Sequence, residues 1–94
     1  MRAHPRLDAN HNDIVSALRA AGATVQSLAS VGGGCPDLLV GFRGTWFCIE
    51  IKDGKNPLSK QRLTNDEQEW HNTAQAPVHI VNSVDKALQI LASL

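Results

Sequence analysis

Asp37, Glu50 and Lys52 are the residues in this chain whose types and spacing could do chemistry. Pro36-Asp37-Leu38-Leu39-Val40 is followed by Gly44 and then by Trp46-Phe47-Cys48-Ile49-Glu50-Ile51-Lys52. This pattern predicts a short β-hairpin. If it turns at Arg43-Gly44, Phe42 faces Thr45, Val40 faces Phe47, Leu38 faces Ile49 and Asp37 faces Glu50. Directly opposed side chains on one face of such a pair sit roughly 4.5–5.5 Å apart at Cβ. Period-two alternation puts Glu50 and Lys52 on that face and Phe47, Ile49 and Ile51 on the other. Gly41 then faces Trp46, whose ring can cover a bare backbone. Arg-Gly is not the favoured two-residue turn, and a four-residue loop keeps the same pairing.

Like charges directly opposed destabilise a sheet, so Asp37 against Glu50 needs compensation. A divalent cation is the simplest source. Mg²⁺ takes oxygen ligands, often one or two carboxylates with waters and substrate phosphates. The Ile51 carbonyl could add a third oxygen. Lys52 could orient or deprotonate a water, or neutralise charge on an attacked phosphate. The plainer reading of an isolated E-x-K tripeptide is a surface strand with one ion pair. The Pro-Asp start, the opposed register and the apolar back face favour phosphodiester chemistry.

These residues need a frame. The 94 residues, 43% of them hydrophobic, suit one small domain spanning 1–94 with a modest core. A domain of this size buries itself only marginally, which favours a homodimer. Formal net charge is zero, so any nucleic-acid contact relies on a local basic patch. No apolar run is long enough for a membrane span, and residues 1–5 lack a signal-peptide core. Two cysteines, Cys35 and Cys48, are too few for a disulfide framework or a zinc site. Reduced thiols and a cytoplasmic location are expected.

Residues 1–8 read as a loose tail. Asn10 is placed as an N-cap with Asp13 three residues on, ahead of a stripe of Ile14, Val15, Leu18 and Ala21 that Gly22 closes. A strand over 24–29 precedes the loop Val31-Gly32-Gly33-Gly34-Cys35-Pro36. Those glycines lack the strand–loop–helix setting of a phosphate loop, so no nucleotide cofactor is expected. Thr64 and Glu67 form a capping box for a helix reaching about Ala74. Residues 78–81 read as a strand. Ser83 caps a last helix with Val84, Ala87, Leu88, Leu91 and Leu94 inward. The fold class is α/β, a single mixed sheet flanked by helices in the order α-β-β-β-α-β-α.

Within this order, Gly34-x-Pro36-Asp37-Leu38, then Glu50-Ile51-Lys52, then Leu63-Thr64 leading to Trp70 resemble the PD-(D/E)xK nuclease superfamily. More narrowly, the chain resembles the virus-type replication–repair nuclease (VRR-NUC) domain in its small stand-alone phage form, over roughly residues 10–94. Archaeal Holliday-junction resolvases share the layout more distantly. The resemblance implies a restriction-endonuclease-like fold and a metal-dependent endodeoxyribonuclease. Asp37, Glu50 and the Ile51 carbonyl would hold Mg²⁺ or Mn²⁺, and Lys52 would be the catalytic lysine. Branched DNA such as a Holliday junction is the implied substrate.

Two positions depart from the family pattern. Where the family carries an acidic residue on the first helix, this chain has His11, either a metal- or water-positioning residue or a capping-turn histidine half covered by the core. A missing third carboxylate could favour a softer ion such as Mn²⁺. Where the family has a glutamine three residues before the tryptophan, this chain has Glu67, which closes the capping box or reaches the site, the former ranked first. Trp70 is read as core, and His71 and His79 as surface or sheet residues. Lys55, Lys60 and Arg62 follow the catalytic strand and could contact DNA phosphates, with Arg43 and Arg19 as weaker candidates. Two alternatives stay open: a nuclease for ordinary duplex DNA, and a catalytically silent DNA-binding or assembly protein of the same fold.

Overall fold

The computed structural model describes residues 10–94, so the tail expected over residues 1–8 lies outside the described residues. The order is α1 (His11–Ala20), β1 (Thr24–Ser27), β2 (Leu38–Phe42), β3 (Thr45–Ile51), α2 (Asn65–Thr73), β4 (Val78–Val81) and α3 (Val84–Ala92). A single 3-10 turn, Leu58–Lys60, interrupts the segment between β3 and α2. The sheet runs β1-β2-β3-β4, antiparallel except for the parallel β3–β4 pair. This is the α-β-β-β-α-β-α mixed sheet that the sequence predicts.

The β2–β3 register is the expected one: Leu38 pairs with Ile49, Val40 with Phe47, Gly41 with Trp46 and Phe42 with Thr45. The turn itself contradicts residue preference. Arg43 has φ 51° and Gly44 φ 77°, the doubly left-handed form that matches strand twist. Arg43 is held there by contacts from its guanidinium, which donates to the Leu94 carbonyl at 3.0 Å and lies 5.2 Å from the Phe42 ring centroid. A Cβ on Gly41 would come within 2.8 Å of the Trp46 ring, so the ring does cover that backbone.

One apolar cluster joins α1, α3 and one face of the sheet. Ile14 and Leu18 of α1 and Ala87 and Leu91 of α3 pack with Leu38, Val40, Phe47, Ile49, Ile51 and Val81. Two stripe residues are misassigned by periodicity. Ala21 and Leu94 are exposed, because each lies past the end of its helix. Ser83 caps α3 as expected, accepting from the Lys86 N–H at 3.2 Å.

Asn10 does not cap α1. It has φ −92° and ψ 2° and makes no side-chain cap bond. Its amide nitrogen instead donates to the carbonyls of Lys52 (3.1 Å) and Asn82 (3.0 Å). Two carbonyls left over at the ends of β3 and β4 take the side chain away from the local role. No helix among the described residues is long and apolar enough to cross a membrane.

Candidate metal and phosphodiester site

The site forms at the C-terminal end of β3, on the sheet face opposite the core cluster. Asp37 lies in the turn just before β2 and half-buried. Its carbonyl accepts from the Leu28 N–H at 2.7 Å, and its Oδ2 accepts from the Ile51 N–H at 2.7 Å. These bonds aim the carboxylate across β3 toward Glu50. Ile51 thus meets Asp37 through its N–H, a contact the sequence reading did not include.

Glu50 is nearly sealed, its side chain 3% exposed. Burial, then Asp37, then Glu67 push its carboxyl up to about 9, so at neutral pH without a metal it carries a proton. Lys52 shows the opposite balance. Burial alone would lower its ammonium. The hydrogen bond to Glu67 at 2.8 Å, with Glu67, Glu50 and Asp37 charge nearby, more than offsets that and raises it. Glu50 Oε2 is 3.7 Å from the same ammonium.

Glu67 serves both roles weighed from the sequence. Its Oε1 accepts from the Thr64 N–H at 2.8 Å while the Thr64 hydroxyl accepts from the Glu67 N–H at 3.2 Å, a complete capping box. The same Oε1 accepts from Lys52 Nζ. Burial works to raise the Glu67 carboxyl, but the bonds from Lys52 and the Thr64 backbone outweigh it and hold it low. Lys52 and Glu67 are therefore a charged pair, whereas Glu50 beside them is held neutral.

His71, expected as a surface or sheet residue, instead lies half-buried at the site. It sits four residues after Glu67, one turn along the same face of α2. Its Nε2 is 3.9 Å from Glu50 Oε1, with its side chain 11% exposed. That i, i+4 spacing from Glu67 was the available signal.

In the glycine-rich loop, Gly34 packs against the protein itself. Gly34 has φ 84°, and a Cβ there would run into the Asp66 carbonyl at the start of α2. Next to it in sequence, the Cys35 thiol is raised by burial and by the Glu50 and Asp37 charges. Cys48 is raised by burial and by Cys35, and both cysteines are free. Past Cys48 the face becomes an apolar cleft of about 340 Å³, lined by Leu39, Trp46, Trp70, Ala76 and Val78. Trp70 belongs to this cleft and is half-buried, so it is not the core residue expected.

Other expected residues stand apart. His11 is fully buried at the start of α1, more deeply than a half-covered capping turn. Among the described residues it makes no hydrogen bond or ion pair with Asp37, Glu50 or Lys52. Lys55, Lys60 and Arg62 are all exposed along the segment between β3 and α2. Arg19 donates to the Val25 carbonyl at 2.9 Å and Arg43 to Leu94, so structural bonds engage both weaker DNA candidates. His79 packs edge-on against Phe47, ring centroids 5.5 Å apart.

The residues fit a divalent ion in chemistry, although no three His, Cys, Asp or Glu side chains among the described residues already converge as a cage. Glu50 Oε1 and His71 Nε2 are both buried without a hydrogen-bond partner. Two carboxyl groups share one neighbourhood, and burial with the charges of Asp37 and Glu67 keeps Glu50 neutral, so a cation there would recharge it. No protein-family model, curated protein or solved structure matches this chain.

Proposed function

We propose that this protein is a metal-dependent DNA endonuclease that hydrolyses phosphodiesters, acting as a homodimer on branched DNA such as a four-way junction. The observation that carries the reading is the Asp37–Glu50–Lys52 group at one end of the β2–β3 hairpin, with the lysine held charged by Glu67. Asp37 and Glu50 would hold Mg²⁺ or Mn²⁺. When bound, such an ion polarises a phosphoryl oxygen and lowers the pKa of a coordinated water. Lys52, kept as an ammonium, cannot also be the base. Its role is to offset negative charge building on the attacked phosphate and to orient a water. Glu67 positions that ammonium. Exposed Lys55, Lys60 and Arg62 lie on the segment leaving the catalytic strand and supply phosphate contacts without sequence preference. Paired incision of a junction suits a two-fold dimer.

One observation favours the silent DNA-binding alternative: the Glu50 carboxyl lies beneath α2 and is held neutral. Cleavage of a labelled four-way junction and a matched linear duplex, with Mg²⁺, Mn²⁺ or EDTA, tests both readings. Junction cutting that needs metal and disappears in Glu50→Ala and Lys52→Ala is the expected result. Equal cutting of the duplex keeps the chemistry and removes the branch preference. Binding without cutting in either metal overturns the enzyme.

A further inference from the structure

Two buried polar atoms without partners face each other across the site. Leaving such atoms unsatisfied is unfavourable, so a pair side by side points to something held between them. Glu50 Oε1 and His71 Nε2 are 3.9 Å apart, too far for a hydrogen bond. Metal–donor distances for imidazole nitrogen and carboxylate oxygen are about 2.1 Å, so two donors of one ion lie at most about 4.2 Å apart. The observed separation falls inside that limit. Asp37, in the turn just before β2, has its Oδ2 held against β3 by the N–H of Ile51, the residue after Glu50.

We propose that His71 on α2 is a metal ligand, binding with Glu50 and Asp37 a divalent ion that accepts nitrogen, Mn²⁺ in preference to Mg²⁺. This rests on the metal-dependent reading of the same site. The third protein donor then comes from α2. Imidazole suits ions further along the transition series, whereas an all-oxygen set suits Mg²⁺. The ligand also ties α2 to the strand that carries Glu50. Glu67, one turn earlier on that helix, is then fixed against Lys52, so metal binding and lysine placement share one element.

The test is metal binding to the full chain, read by calorimetry with Mn²⁺ and Mg²⁺ and by pulsed electron spin resonance of bound Mn²⁺. Wild type is expected to show coupling of the manganese spin to a histidine nitrogen and to prefer Mn²⁺. His71→Asn is expected to lose the coupling and about tenfold or more of the Mn²⁺ affinity, with Mg²⁺ affinity nearly unchanged. His11→Gln is expected to keep both. Thermal unfolding in EDTA checks that each variant folds, with His71→Gln as a second substitution. Mn²⁺ bound without nitrogen coupling, and equally well by His71→Asn, overturns the ligand and leaves the metal reading standing. Coupling lost in His11→Gln and kept in His71→Asn moves the ligand to His11 and likewise overturns it. No Mn²⁺ binding by wild type overturns both this ligand and the metal reading.

Discussion

On one face of the sheet, α1 and α3 bury Ile14, Leu18, Ala87 and Leu91 against Leu38, Val40, Ile49 and Ile51. On the other, α2 buries none of its nine residues fully. It rests on Trp70 in the apolar cleft, on the Glu67–Lys52 pair, and on a backbone approach at Gly34. Each face uses one row of the same strands. The apolar row is sealed because close packing is what stabilises it. The other row carries carboxyls and an ammonium, and sealing those without a counter-ion is expensive. A cover held by few apolar contacts opens at low cost, which suits the proposed phosphodiester reading of this face.

Substitutions can break or sharpen this contrast. The largest effect is expected from Ile49→Ala on the sealed face, a loss of about 2–5 kcal/mol in denaturant unfolding. A loss below about 1 kcal/mol would show that this face is not the main source of stability. Gly34→Ala comes next. Its left-handed φ and the collision with Asp66 should cost about 1–3 kcal/mol. The damage should concentrate on α2: amide exchange over 65–73 speeds up while α1 amides stay slow. Equal acceleration in α1 would mean that the two faces unfold together.

A milder perturbation of the same helix is Thr64→Ala, which removes a capping acceptor at about 1 kcal/mol. Faster exchange in the first turn of α2 is the readout, and an unchanged profile would remove the capping box as an anchor. Smallest of all is Glu50→Gln. In EDTA it should unfold no earlier than wild type, since it replaces a carboxyl already held neutral by burial. Added Mn²⁺ should raise the wild-type Tm and leave the variant's unmoved. A Glu50→Gln protein clearly less stable than wild type in EDTA would mean that the carboxyl supports the fold.

The contrast also explains which features were readable in the sequence. The β2–β3 register followed from alternation, because one row had to be apolar and a slip of one residue would have inverted every side chain. The Thr64–Glu67 box and the Ser83 cap were legible since both ends of each bond lie within three residues. Asn10 obeyed the same local rule and was misassigned, as its acceptors are distant in sequence and invisible to spacing. Trp70 looked like core by residue type, but α2 lies on the face that is not sealed. His71 was read as a surface or sheet residue for a related reason. Its partner Glu50 lies on a strand twenty-one residues earlier, and only the helical step from Glu67 pointed toward it. Arg43 in a left-handed turn departs from preference because contacts to Leu94 and Phe42 decide its conformation.

The Asn10 amide has a consequence for the order of assembly. It precedes its two acceptors by 42 and 72 residues. Contacts of that span form only after the loop entropy between them has been spent, so they arrive late in folding. The hairpin can pair as soon as Thr45 follows Phe42, but the Asn10 bridge must wait for β4 and Asn82. Until then the start of α1 has neither a side-chain cap nor its two anchoring carbonyls. Completion of this bridge at the start of α1 is thus expected among the later events of folding.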